Sequence, residues 1–478
     1  MLFNTIHYAI FLPVVFALYW FVLRRRLRAQ NLMLLAASYF FYACWDWRFV
    51  FLLAFSTLLD YFSGLRVQAA STAASKRIWL IASVGINLGF LGVFKYFNFF
   101  AASFADLART VGYELDPVVI DVLLPVGISF YTFHGLSYVL DIYYGRKEPT
   151  TDLVNYSLFV AFFPLLVAGP IERATHLLPQ LERPRSFNRA QAVDGCRQIL
   201  WGLFKKMVVA DNAARLLNPV FNNHEEFQAS TLVYAAVLFA FQIYGDFSGY
   251  SDIALGSARL LGVELLQNFA FPYFSRDIAE FWRRWHISLS SWFRDYVYIP
   301  LGGNRGGKWM AARNTAVIFL VSGFWHGANW TFLAWGALHA MLFMPLLLTG
   351  SNRRHLGAVA EGRWLPTLRE AVSMLLTFGA VTLAWVFFRA KSIGEAISYL
   401  FHMADRSLFT VPERLSARMA VVIFLLLLVE WRARTDRHGL QSLGLNWPRW
   451  ARWAFYYVIV FFILRFAGNT QQFIYFQF

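Results

Sequence analysis

The sequence predicts an all-α polytopic membrane protein with about ten to twelve transmembrane helices, together with re-entrant and interfacial helices. The 478 residues are 58% hydrophobic and only 15% charged, whereas soluble domains carry about 25% charged residues. Apolar windows of roughly 17–25 residues, long enough to cross ~30 Å of hydrocarbon as helix, recur along the chain. The short alternating segments that transmembrane strands would give do not dominate anywhere.

The candidate spans follow from length and apolarity. Five lie in the N-terminal third: Ile6–Leu23, Asn31–Cys44, Phe49–Leu65, Ile78–Val93 and Val118–Leu140. The later ones are Thr231–Tyr244, Asn314–Leu348 (long enough for two short spans), Leu368–Phe387, Ala417–Glu430 and Trp453–Leu464. No internal repeat divides them, so we expect one membrane domain over residues 1–478, with its catalytic core at about 118–348.

Three segments depart from simple spans. Leu153–Gly169 is apolar but has basic stretches on both sides, and Pro164 interrupts it, which favours a re-entrant hairpin. Arg189–Leu217, which contains Lys205 and Lys206, is typical of an amphipathic cytoplasmic or interfacial helix. The glycine-rich run GDFSGYSDIALG after Tyr244 is expected to break the helical pattern there.

Charge and cysteine content exclude other classes. The net charge of +15 comes from basic residues beside apolar spans, such as RRRLR at residues 24–28. The positive-inside rule accounts for such clusters, so nucleic-acid binding is not expected. RRRLR also orients the first span with its N-terminus outside the cytoplasm, and we expect a bacterial inner membrane. Cys44 and Cys196 lie apart in apolar surroundings, which favours neither a disulfide framework nor a zinc site.

Two histidines in Trp-rich sequence are the candidate chemical groups. His326 lies in Gly-Phe-Trp-His-Gly, about nine residues into an apolar segment, which predicts a position ~13–18 Å deep in the bilayer. A largely neutral imidazole at that depth can accept a proton from a hydroxyl or thiol. The alternative is a core histidine that bridges two helices. For His286, in FWRRWHISLSSWFRDY, an interfacial anchor helix is an equally good interpretation.

Other motifs carry weaker signals. Leu301–Lys308 is a glycine-rich loop whose cations Arg305 and Lys308 suit phosphate, although it lacks P-loop spacing and can equally be a surface connection. For Asp246 and Asp252 we favour structural roles over a proton path. Packing or interfacial positions are the expectation for the remaining histidines that were considered, namely His134, His176 and His339.

Long ordered motifs show a resemblance that covers essentially the whole chain. They are PVGISFYTF (125–133), FFPLLVAGPIER (162–173), YGDFSGYSDIALG (244–256), NFAFPYFSRDIAEFWRRWHISLSSWFRDYVYIPLGGNR (268–305), SGFWHGANWTFLAWGALH (322–339) and FIYFQF (473–478). On these motifs the chain resembles the membrane-bound O-acyltransferases of the bacterial alginate O-acetyltransferase type. Departures from the family pattern at Phe324, His134 and His339-Ala340 leave the two principal histidines intact.

The resemblance implies a fold around a central funnel or tunnel, with His326 as the catalytic residue and His286 as the second histidine associated with activity. It also implies acetyl-CoA as a donor substrate rather than a bound cofactor, periplasmic acetyl-transfer proteins as partners, and an exported polysaccharide such as alginate as acceptor. We expect the donor's phosphates to meet Arg283, Arg284, Arg305 and Lys308, and no metal to be required.

Two alternatives stay open from the sequence. The first is a related enzyme that transfers D-alanine or another acyl group to a cell-wall polymer. The second is a proton-coupled transporter or export scaffold, for which paired half-repeats would be a typical sign.

Overall fold

The computed structural model describes residues 1–120, 123–167, 169–467 and 471–474. These residues form helices and loops without a β-strand, which confirms the all-α prediction. By length and apolarity, five helices in the described part could cross a membrane: Arg48–Ala69, Ala73–Thr110, Ala229–Leu260, Trp330–Leu348 and Leu368–Arg389. The protein is therefore a multi-pass membrane protein, and a total of ten to twelve spans stays a prediction.

The chain divides into two compact units. The first comprises Met1–Ala192 and Ser257–Leu266, and the second Val193–Gly256 and Gln267–Phe478. Helices of the first unit are α1 (Ile6–Ala17, extended by a π-helical turn, Leu18–Val22), α2 (Leu27–Ala43), α3 (Arg48–Ala69), α4 (Ala73–Leu91, followed by the π-helical turn Gly92–Tyr96), α5 (Phe97–Thr110), α6 (Ile128–Tyr143), α7 (Leu153–Ala161) and α8 (Ala174–Leu181).

In the first unit, two apolar segments, one predicted as a span and one as a re-entrant hairpin, differ from simple helices. The span expected at Val118–Leu140 is helical only from Ile128, because Pro125 lacks an N–H and Gly127 has φ 74°; residues 121–122 lie outside the described part. Helix α7 ends at Ala161, and residues 163–167 form buried turns. The Ser38 hydroxyl accepts a hydrogen bond from the Phe163 N–H there. The predicted interruption is confirmed, and protein covers the freed backbone.

The remaining helices lie wholly or mainly in the second unit. They are α9 (Arg189–Leu203), which continues as a π-helical segment (Phe204–Ala210), α10 (Asp211–Asn222), α11 (Ala229–Leu260), α12 (Ile278–Arg284), α13 (Ile287–Phe293, followed by the π-helical turn Arg294–Tyr298), α14 (Gly307–His326), α15 (Trp330–Leu348), α16 (Leu368–Arg389), α17 (Ile393–His402), α18 (Ala417–Arg432) and α19 (Arg449–Phe466). The segment Asn314–Leu348 thus contains parts of two helices, α14 and α15, of which α15 is long and apolar enough to cross a membrane.

The expected helix break at GDFSGYSDIALG is wrong, since α11 runs without interruption through it. The glycines serve close packing instead. A Cβ on Gly249 would lie 2.8 Å from the carbonyl oxygen of Gly202, and one on Gly256 would lie 2.5 Å from that of Gly195. Helix α11 therefore packs directly on the backbone of α9, at a distance that larger side chains would not allow.

In the segment Arg189–Leu217, predicted to be an amphipathic cytoplasmic or interfacial helix, the two lysines do not lie on an exposed polar face. Lys205 and Lys206 are only 3% and 1% exposed. Each faces a carboxylate of the same unit, Asp252 for Lys205 and Asp246 for Lys206. Buried cations need such partners, and neither acid was expected to supply one to this segment.

Candidate active site

His326 is the last residue of the 20-residue helix α14, and not about nine residues into its helix as the sequence predicted. The helix begins at Gly307, ahead of the apolar segment. Two glycines allow α14 and α15 to cross in contact: a Cβ on Gly323 would lie 2.3 Å from the carbonyl oxygen of Phe332, and one on Gly336 would lie 2.4 Å from that of Phe319. This crossing fixes the end of α14 and with it the His326 ring, which is 3% exposed.

His286 lies at the junction of α12 and α13 with left-handed backbone angles, φ 43° and ψ 54°. Such a conformation costs a non-glycine residue about 1–3 kcal/mol and persists only where its surroundings enforce it. Here the Ile287 N–H donates to the Asn268 carbonyl at 2.9 Å, and the Ser288 hydroxyl donates to the Asn268 side chain at 2.5 Å. The Asn268 amide in turn donates to the Ser251 hydroxyl at 3.1 Å, which ties the junction to α11.

The two histidines, separated by 40 positions in the chain, come together in the second unit. Their ring centroids are 6.3 Å apart. His286 has no exposed surface, and neither of its ring nitrogens has a hydrogen-bond partner among the described residues. Burial lowers the pKa of His286 to about 3, so the ring is neutral at physiological pH. The interfacial-anchor interpretation of His286 does not fit a ring with this burial.

Aromatic side chains surround the histidine pair. Phe247 of α11 meets the His286 ring edge-on at 4.7 Å, while Trp335 and Phe388 meet the His326 ring at 5.2 and 5.4 Å. No local feature distinguishes these three residues from the many other aromatics of the sequence, because they come from three separate helices. An apolar enclosure of this kind excludes water from the histidine pair.

His339 packs beside this cluster, as expected for a structural histidine. Its Nδ1 accepts a hydrogen bond from the Trp282 indole at 3.2 Å, and its ring stacks on Phe281. In the first unit, His134 is fully buried in α6, and His176 Nδ1 lies 2.8 Å from Glu172.

The four candidate phosphate contacts fall into two pairs. Arg283 donates to the carbonyl oxygens of Asn352 and His355, both at 2.7 Å, and Arg284 forms an ion pair with Glu280 at 2.9 Å. These guanidinium groups stabilise the protein's own loops. Arg305 and Lys308, in contrast, are exposed around the start of α14, where Lys308 donates to the Leu348 carbonyl at 3.0 Å.

The acids singled out in the glycine-rich run belong to buried ion pairs. Lys206 Nζ lies 2.6 Å from Asp246 and 2.8 Å from Asp211, and it also donates to the Gln471 carbonyl. Burial opposes the charge on Lys206, but the two carboxylates outweigh it and raise its pKa. Asp246 also accepts the Ile474 N–H at 2.7 Å. The predicted structural role of Asp246 fits these contacts, as does that of Asp252 in its pair with Lys205.

No group of three or more His, Cys, Asp or Glu side chains that could hold a metal ion occurs within the described ranges. The motif FIYFQF lies within them only at Phe473 and Ile474. There Phe473 is fully buried and packs against Tyr250 and Phe247 of α11, with ring centroids at 4.5 and 6.1 Å.

Comparison with known proteins identifies the relatives of this chain. The sequence model of the membrane-bound O-acyltransferase family matches residues 146–384, which include both histidines. The chain is 41% identical over 390 residues to a "Probable alginate O-acetylase" of Pseudomonas aeruginosa, covering 81% of this chain and 71% of the relative. It is 32% identical to a "Peptidoglycan O-acetyltransferase" of Helicobacter pylori, covering 100% of this chain and 98% of the relative.

A more distant similarity, 27% identity over 282 residues, links it to a "Teichoic acid D-alanyltransferase" of Bacillus subtilis, covering 56% of this chain and 69% of the relative. The match to the family model and the high coverage of the first two relatives agree with the resemblance drawn from the motifs. They also favour an enzyme over a transporter or scaffold. The chain therefore belongs to the membrane-bound O-acyltransferase family and is an O-acyltransferase.

Proposed function

We propose that this protein takes acetyl groups from cytoplasmic acetyl-CoA and passes them across a bacterial inner membrane for O-acetylation of an exported or cell-wall polysaccharide. The observation that carries the proposal is the enclosed pair His326 and His286 in a chain of this family. The names of the relatives support acetyl as the acyl group and a polysaccharide such as alginate or peptidoglycan as acceptor.

His326 is assigned the role of general base. A neutral imidazole accepts the proton of the attacking hydroxyl while the oxygen bonds to the thioester carbonyl carbon. The carbon–sulfur bond then breaks, and the same proton can pass from His326 to the departing thiolate. No net proton is gained or lost in this sequence. Positioned proton transfer of this kind contributes about 10²–10⁴-fold to a rate.

His286 is assigned a positioning role. A ring with a pKa of about 3 is not an imidazolium at neutral pH and so does not supply a charged acid to the thiolate. Its neutral N–H can still donate a hydrogen bond, and its neutral nitrogen can accept one. The left-handed backbone at His286 holds that ring 6.3 Å from His326, close enough for one acyl group to contact both.

The aromatic enclosure supports transfer rather than hydrolysis. Trp335, Phe388 and Phe247 leave the histidines only 3% and 0% exposed. Water would compete with the acceptor hydroxyl for the thioester, and its exclusion favours the acceptor.

For the donor's phosphates, the contacts favour Arg305 and Lys308 over the other two candidates. Arg283 and Arg284 already satisfy backbone carbonyls and Glu280, so a ligand would have to displace those contacts. Arg305, in the loop before α14, and Lys308, in the first turn of α14, are exposed and can approach a polyanion. We expect periplasmic acetyl-transfer proteins to carry the acetyl group onward to the polymer.

Transfer of D-alanine is the second candidate, supported by the similarity to the Bacillus subtilis enzyme. The test uses inverted membrane vesicles that contain the protein. They receive either [¹⁴C]acetyl-CoA or a carrier protein charged with [¹⁴C]D-alanine, and the labelled ester in the membrane fraction is measured over time. We expect labelled ester to form from [¹⁴C]acetyl-CoA and not from the D-alanyl carrier. No labelled ester should form with the variant His326→Ala. Label from the D-alanyl carrier alone, or undiminished label with His326→Ala, would overturn the proposal.

A second arm tests the donor contacts. The double variant R305Q/K308Q should raise the KM for acetyl-CoA, because two cations that face a polyanion are lost. The control variant R406Q/K391Q removes the same two charges from exposed positions elsewhere. Equal KM values for the two double variants would remove Arg305 and Lys308 from the donor site.

A further inference from the structure

The first unit contains a pocket of about 520 Å³ beside the C-terminal end of the first helix. One side of it is aromatic and consists of Phe16, Trp20, Phe21 and Phe187. Phe21 and Phe187 are 76% and 51% exposed. These exposed rings adjoin an apolar helix, Ile6–Val22, which is the first predicted span. The pocket thus lies where an apolar helix meets a basic segment, which in a membrane protein is the headgroup level.

The other side of the pocket is cationic. Arg24, Arg25 and Arg185 line it, and no acidic side chain of the described residues does. Arg24 and Arg25 are exposed, whereas the Nε and Nη1 atoms of Arg185 are buried without an acceptor among the described residues. Burial lowers the pKa of Arg185, as expected for a cation without an opposing charge.

Arg185 is nevertheless held in place. Its Nη2 donates to the Asn31 side-chain oxygen, and its guanidinium lies 5.4 Å from the centre of the Tyr19 ring. Trp20 is fixed as well, since its indole N–H donates to the Leu260 carbonyl at 2.8 Å. The pocket is therefore built by anchored side chains and not only by a mobile basic surface.

We infer that this pocket binds an anionic glycerophospholipid, with its phosphate on Arg24, Arg25 and Arg185 and one acyl chain along Phe16, Phe21 and Phe187. The three arginines that line the pocket supply charge complementarity to a phosphate. The aromatic side of the pocket favours a lipid over a soluble phosphate, because a soluble anion would leave the exposed aromatic rings uncovered.

The test is native mass spectrometry of the purified protein in detergent, titrated with phosphatidylglycerol or with phosphatidylcholine of the same acyl chains. The wild-type protein should bind phosphatidylglycerol more tightly than phosphatidylcholine. R24Q/R25Q should weaken it by roughly five-fold per arginine removed. R26Q/R28Q is the matched control, because it removes two charges from the same basic run at positions that do not line the pocket. R185Q should also weaken binding, with folding checked by size exclusion and thermal unfolding.

Three results would overturn the inference. One is equal affinity for the two lipids, and another is equal loss of affinity in R24Q/R25Q and R26Q/R28Q, which would indicate a diffuse surface charge. The third is displacement of phosphatidylglycerol by an equal concentration of glycerol 3-phosphate, which would indicate a soluble phosphate ligand. The variant R24Q/R25Q replaces only exposed side chains. It therefore decides the test even if R185Q does not fold.

Discussion

Substitution of Gly336 by alanine tests whether the crossing of α14 and α15 positions His326. The added Cβ would lie 2.4 Å from the carbonyl oxygen of Phe319 and 3.1 Å from its carbonyl carbon. Ordinary contact begins at 3.4 Å, so the two helices must separate by about 1 Å. Overpacking of this kind costs about 1–3 kcal/mol. Phe319 lies on α14 about two turns before His326, and a displacement of ~1 Å at a reacting group can lower a rate ~10²-fold.

The assay compares initial rates of acetyl transfer and unfolding temperatures of purified variants. Gly379→Ala is the matched control, since no heavy atom lies within 4 Å of a Cβ at that helical position. The control should keep its rate and gain about 0.5–1 kcal/mol of stability. Gly336→Ala should lose stability and most of its rate. A Gly336→Ala protein with the rate and unfolding temperature of the control would show that the crossing of α14 and α15 does not position His326.

Three further changes test other parts of the structure. Lys206→Met leaves Asp211 and Asp246 buried without their cation and should destabilise the protein by about 3–5 kcal/mol; an unfolding temperature no lower than that of the exposed variant Lys391→Met would contradict this. Native His286, with a pKa of about 3, does not take up the proton that the unfolded chain binds below its ordinary pKa of about 6.5. Its contribution to stability is therefore complete above pH 6.5 and falls as the pH drops toward 3, by on the order of 1 kcal/mol at pH 5.5. His286→Gln should weaken the dependence of the unfolding temperature on pH between pH 6.5 and 5. Identical pH profiles for the variant and the wild type would exclude this effect. Arg283→Gln should expose the loop at Asn352 and His355 to limited proteolysis, since it removes two hydrogen bonds to that loop; unchanged cleavage would reject its structural role.

The sequence was sufficient for the parts of the fold that depend on local composition. Apolar length located α1 to α4 and the α14–α15 pair, and Pro164 marked the end of α7. The glycines of α11 led to a wrongly predicted helix break. Helix propensity reflects the backbone freedom of glycine, whereas Gly249 and Gly256 allow close contact with another backbone. No local signal separates these two uses of glycine.

Long-range partners were the other limit of prediction. Lys205 and Lys206 look like exposed basic residues until Asp252 and Asp246 of α11 are brought against them, some 40 residues later in the chain. The same holds for the site, because the sequence singled out His286 and His326 but did not show that Trp335, Phe388 and Phe247 surround them. Nor could charge alone show that Arg283 and Arg284 were already engaged.

The role of His326 as the base is best measured by the rate of acetyl transfer by His326→Gln, which keeps a polar side chain of similar size but cannot act as a base. His402→Gln, at an exposed position on α17, is the matched histidine control. With both proteins folded and inserted, we expect a loss of about 10²–10⁴-fold for His326→Gln and the full rate for His402→Gln. Equal rates for the two variants would contradict the assignment of His326 as the base.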